Sequence, residues 1–95
     1  MKDKYLLFKL ALLQKYPACE ICGIRPAVEV NHCLYHVHGG IFDSNENCQA
    51  VCHECHNQNG HSRVNKVNHW YKRKSEGYPM QSWNLLISEN RREWW

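Results

Sequence analysis

Two Cys-x-x-Cys pairs, Cys19-Glu20-Ile21-Cys22 and Cys52-His53-Glu54-Cys55, constrain this chain more than any other feature. A Cys-x-x-Cys turn lets two thiolates face one centre, and two such turns supply the four sulfurs of a tetrahedral structural Zn2+ site. Residues 23 to 51, twenty-nine positions, separate the pairs, more than a minimal zinc ribbon needs, so something is mounted between the knuckles. Six cysteines could instead serve as a disulfide framework in a secreted protein. The doubled spacing favours metal. So does the lack of a signal peptide: Lys9 interrupts the apolar stretch begun by Tyr5-Leu6-Leu7-Phe8, and no clear small-residue cleavage site follows. This reading places the protein in a reducing cytoplasm. No apolar run is long enough to span a membrane.

At 95 residues the chain makes one domain, 1–95, with a core small enough for a metal staple to help materially. A formal charge of +3 permits a nucleic-acid partner without requiring one.

Periodicity supplies the elements. Residues 3–15 read as a helix with Leu6, Leu10 and Leu13 on one stripe and Tyr5, Phe8 and Leu12 toward other faces; Pro17 ends it. A short strand over 27–30 runs into Asn31-His32, and a loop over 33–46 holds Gly39-Gly40 and Asp43-Ser44-Asn45. Cys48–Val51 forms a second strand, and a helix from about His53 stops at Asn59-Gly60. Ser62 caps a helix over 63–75, with Val64, Val67, Trp70 and Tyr71 on one side and Lys66, His69 and Arg73 on another. Gly77 and Pro79 break it. Trp83, Leu86, Ile87, Asn90 and Trp94 then mark a last amphipathic helix after Ser82, its tryptophans core-forming. Cys33 and Cys48 lie outside the pairs and read as buried free thiols.

The order Cys19-x-x-Cys22, strand, Val30-Asn31-His32, Gly39-Gly40, Asn47-Cys48-Gln49-Ala50-Val51-Cys52, Cys55-His56-Asn57 resembles the HNH endonucleases, the ββα-metal or His-Me finger nucleases. The likeness spans about residues 19–62. It is nearest to zinc-knuckled members, phage-type or endonuclease VII-like. The resemblance implies an α+β fold: a small zinc-stapled ββα-metal core with flanking α-helices. It implies a DNA endonuclease in which His32 is the general base on water, Asn47 braces the base and its loop, and His56 ligates a catalytic divalent cation, Mg2+, Mn2+ or similar. The structural zinc, held by Cys19, Cys22, Cys52 and Cys55, would then position His56 directly.

One position departs from the family pattern. The residue before the base is often Asp, a second ligand of the catalytic cation, and here it is Asn31. Three readings stay open: Asn31 ligates through its neutral carbonyl oxygen; Asp43, His36 or His38 contributes; or the chain is a weak or inactive relative. Arg63, Lys66, His69, Lys72, Arg73 and Lys74 are the candidate DNA-binding residues, with a solvated basic face as the alternative. His36, His38, His53, His61 and His69 are expected to be solvated or DNA-facing. DNA is the expected partner, with protein partners in a DNA-processing complex possible; oligomeric state is left open. The competing function is a non-catalytic zinc module that binds nucleic acid or protein.

Overall fold

The computed structural model describes residues 2–33, 43–81 and 83. Among them lie three helices and one two-stranded antiparallel sheet, in the order α1 (Lys2–Lys15), β1 (Glu29–His32), β2 (Cys48–Val51), α2 (His53–Asn59) and α3 (Arg63–Ser75). This is a small α+β arrangement, and the elements fall within two residues of the expected bounds. Gly39-Gly40, His36, His38 and the last helix beyond Trp83 lie outside the described residues.

The sheet pairs Glu29 with Val51, Val30 with Ala50, Asn31 with Gln49 and His32 with Cys48. Side chains alternate across a strand, so each face collects its own set. One face carries Val30, Cys48 and Ala50 into a core with Leu12 and Tyr16, with Phe8, Leu13 and Ala27 packed against it. The other face turns Asn31, Gln49 and Val51 toward α2 and the start of α3.

α1 packs by a different stripe from the one expected. Phe8, Leu12 and Tyr16 meet the sheet, while Leu6, Leu7 and Leu10 are about half exposed or more. Apolar residues surround this helix, so two faces satisfy a 3.6-residue period. The face chosen is the one that fits Val30 and Ala50.

α3 is inverted relative to its pattern. Val64 and Tyr71 are exposed, whereas Asn65, Lys66, His69 and Arg73 are buried. The turn at 43–47 and the knuckle residue Glu20 leave acceptors inside the molecule, and α3 supplies their donors. Arg73 donates from Nε to the Asn45 carbonyl (2.6 Å), from Nη2 to the Cys48 carbonyl (2.9 Å) and from both Nη atoms to the Glu20 carboxylate (2.7 and 2.9 Å). His69 Nε2 lies 2.9 Å from the Glu46 carbonyl oxygen. The helix starts at Ser62, whose hydroxyl accepts from Asn65 N–H at 3.1 Å. It ends at Gly77, which takes the left-handed backbone (φ 101°) while Gly77 N–H and Tyr78 N–H reach back to the carbonyls of Lys74 and Arg73.

Candidate metal centre and active site

The two knuckles come together. The sulfurs of Cys19, Cys22, Cys52 and Cys55 all lie within 4.8 Å of one another, and the cysteines form no disulfide. Backbone amides point at them: Ile21 N–H to Cys19 Sγ, Ile24 N–H to Cys22 Sγ and Cys55 N–H to Cys52 Sγ, at 3.4 to 3.5 Å. Arg25 adds Nε to Cys52 Sγ at 3.3 Å and Nη2 to Cys55 Sγ at 3.7 Å. Donors aimed at sulfur favour thiolate over thiol, which is the form that binds metal. The backbone N–H groups of Arg25 and Ile24 lower the Cys22 thiol to about 6, whereas burial pushes the Cys55 thiol up to about 12. The donor set fits a metal ion such as zinc. Gly23 turns the first knuckle in the left-handed region (φ 70°).

β1 brings the next group to the cluster's edge. Asn31 is fully buried and its Nδ2 donates to Gln49 Oε1 (2.9 Å) and the Gly60 carbonyl (2.7 Å). Asn65 Nδ2 donates to the same two acceptors, at 2.6 and 3.1 Å. With its nitrogen so engaged, Asn31 Oδ1 is left buried with no hydrogen-bond partner. His56, one residue after Cys55, approaches the same space. A Cβ placed on Gly60 would stand 3.0 Å from Asn31 Oδ1, 3.1 Å from His56 Cδ2 and 2.6 Å from the His56 carbonyl oxygen. On its other side the His56 ring is held by Glu29, with Nδ1 2.6 Å from Oε1. A carboxylate accepts here, so Nδ1 carries the proton and Nε2, the neighbour of Cδ2, keeps the lone pair. The second Glu29 oxygen holds His53 Nδ1 at 2.7 Å. These two histidine hydrogen bonds, that of His56 first, bring the Glu29 carboxyl below its ordinary value.

His32 points to the opposite face of the sheet. Its Nε2 lies 2.6 Å from Asp43 Oδ1, and its ring stacks with Tyr5 of α1, centroids 6.4 Å apart. Asn47 is fully buried, and its main-chain carbonyl accepts from Cys33 N–H at 2.9 Å, immediately after His32. That bond ties the end of β1 to the turn before β2.

The basic residues divide. Arg63, Lys72 and Lys74 are exposed, though Lys72 Nζ also reaches Glu20 at 2.8 Å and Lys74 lies over the Trp70 ring. Lys66, His69 and Arg73 do not form the expected outward stripe: they are 6 %, 2 % and 0 % exposed. Arg73 is committed to Glu20, and burial, followed by the charge of Arg73, lowers His69 to about 4.

Glu29 escaped the sequence reading, whereas His61, expected to be solvated or DNA-facing, is exposed. Glu29 was lost among strand residues, yet its alternation with Asn31 put it on the α2 face. His61 stands in the α2–α3 turn. Desolvation, followed by the charge of Lys66, holds it below its ordinary value.

No family model, curated protein or solved structure matches this chain. Among the described residues no helix is long and apolar enough to cross a membrane.

Proposed function

We propose that the protein is a metal-dependent DNA endonuclease of the HNH type. The observation that carries this reading is the meeting of Asn31 Oδ1, an acceptor without a partner, and the His56 ring beside Gly60. An amide oxygen and an imidazole Nε2 make a neutral pair of ligands, suited to Mn2+ and less to Mg2+. A divalent cation there would supply Lewis-acid stabilisation of the phosphate and of the leaving 3′-oxygen.

The chain's own residues supply the rest. His32 takes the proton of the attacking water, and the Asp43 carboxylate holds its ring and stabilises the imidazolium that results. Glu29 fixes the tautomer of His56. The products are 5′-phosphate and 3′-hydroxyl ends. A structural zinc at Cys19, Cys22, Cys52 and Cys55 keeps His56 in place through its neighbour Cys55. So small a surface suits low sequence specificity, recognition of DNA structure, or work inside a larger DNA-processing complex. The compartment that fits is the cytoplasm, where thiolates stay reduced.

Plasmid nicking with Mn2+, Mg2+ or EDTA tests the reading. Wild type should nick with Mn2+ and more weakly with Mg2+, and His32→Ala should lose about 100-fold or more while keeping fold and zinc. A second reading, a non-catalytic zinc module, draws on the amide of Asn31 being spent in a buried network. It expects no nicking with any divalent ion.

A further inference from the structure

The register of the sheet sets His32 directly opposite Cys48. The turn into β2 folds back through the Ser44 carbonyl, which accepts from Asn47 and Cys48 N–H, and this brings Asp43 to the same place. Donor atoms of His32, Asp43 and Cys48 all lie within 4.8 Å of one another. Cys48 closes the cluster from inside at 0 % exposure, while the side chains of His32 and Asp43 each remain 21 % exposed. None of the four knuckle cysteines takes part; they form the separate cluster described above.

We infer that His32, Asp43 and Cys48 form a second metal site, these three being its ligands among the described residues, for one borderline divalent cation of the zinc class. One imidazole nitrogen, one carboxylate oxygen and one sulfur select Zn2+, Co2+ or Cd2+ over Mg2+. The proton balance is simple. As the sulfur–metal bond forms, the Cys48 S–H bond breaks and its proton goes to solvent, while His32 keeps one proton on the nitrogen that does not ligate. Burial pushes the Cys48 thiol up to about 12, so the metal must displace a firmly held proton. With one thiolate against four, the site fills after the four-cysteine cluster and more weakly.

One consequence rests on the nuclease reading. His32 cannot ligate a metal and accept a proton from water at once. Zinc beyond one equivalent then inhibits cleavage by capturing the base.

Cobalt titration of the full chain, purified with one equivalent of zinc, tests the site. Wild type should bind one further Co2+ with a thiolate-to-cobalt charge-transfer band, and the original zinc should remain after desalting. Cys48→Ala should lose that band. Asp43→Ala, at a partly exposed position, should weaken the binding by more than about tenfold. Each variant is first confirmed to hold one zinc and the wild-type circular dichroism spectrum. Should Cys48→Ala fail to fold, Asp43→Ala decides alone. Absence of a charge-transfer band in wild type overturns the inference, as does unchanged cobalt affinity in Asp43→Ala. Nicking is assayed in parallel with Mn2+ and rising Zn2+. A wild type that nicks nothing sinks the nuclease reading, and the cobalt result still decides the second site.

Discussion

Asn31 and His32 are adjacent in the chain and face opposite sides of the two-stranded sheet, Asn31 toward Gly60 and His56, His32 toward Tyr5 and Asp43. In the proposed reaction the base and the cation ligands therefore approach a phosphate from either side of the β1 edge.

Asn31→Asp, the change toward the residue usual in the HNH endonucleases that the motif resembles, should destabilise the fold. Asp replaces a donor with an acceptor facing Gln49 Oε1 at 2.9 Å and the Gly60 carbonyl at 2.7 Å. The cost should be about 3 kcal/mol or more without a divalent ion. The added charge favours a hard cation, so Mg2+ should raise the melting temperature of the variant more than that of wild type. A variant melting with wild type in EDTA would show that the amide network contributes little.

Gly60→Ala should cost about 1–3 kcal/mol, because the new methyl would stand 2.6 Å from the His56 carbonyl oxygen, a backbone atom. The backbone of Gly60 is right-handed helical (φ −55°), so crowding rather than strain in φ is the cause. Urea unfolding measures the loss. Since His56 and Asn31 line the same space, affinity for the proposed divalent cation should fall as well.

Arg73→Ala should cost about 3 kcal/mol, because the buried Glu20 carboxylate loses its Arg73 partner and keeps only Lys72 Nζ and the Ala50 N–H. DNA affinity per folded molecule should stay unchanged, since Arg73 is 0 % exposed. Arg63→Ala and Lys74→Ala should do the reverse: near-native stability, with a salt dependence of binding shallower by about one unit of slope per lost phosphate contact. Chemical denaturation and DNA binding at several salt concentrations separate the cases.

Acid should loosen the fold in two stages. His69 is lowered to about 4 when folded, against about 6.5 ordinarily. Between those values the unfolded chain takes up a proton that the folded chain refuses, so stability present above pH 6.5 drains away as pH falls toward 4, by up to about 3 kcal/mol. Glu20 adds a lower stage. Although burial raises its carboxyl, the Arg73 bonds outweigh burial and hold it below its ordinary value, so its contribution is lost below about pH 4.3. His69→Gln keeps a donor for the Glu46 carbonyl and should flatten the upper stage. Stability measured from pH 7 to 5 checks this, and an unaltered slope in the variant would refute it.

Much of this was legible in the sequence. Cys-x-x-Cys spacing marks its own geometry, and Ser62, Gly60 and Gly77 mark helix ends through local backbone chemistry, so the elements and the four-cysteine cluster could be read directly. Faces could not. α1 is apolar on more than one side, and only the shape of Val30 and Ala50 selects Phe8 and Leu12 over Leu6 and Leu10. On α3 the polar stripe Lys66, His69, Arg73 resembled a solvated face, because its partners, Glu20 and the carbonyls of residues 45, 46 and 48, lie 23 to 53 positions away in the chain. Asp43 and Glu29 were missed as histidine partners for the same reason: a contact across a sheet or turn leaves no local period.

Glu20 occupies the first variable position of Cys19-x-x-Cys22, and its carboxylate also accepts from Ala50 N–H at 2.7 Å. One side chain thus ties the first knuckle to the sheet and, through Arg73, to a helix that starts after the second knuckle. The segment that carries the family-like motif, 19–62, is consequently not a transplantable module. Excised, it would keep its ligands but strand a buried anion. Shuffling or minimising this protein must carry α3 along, or replace Glu20 with a neutral residue in the same step.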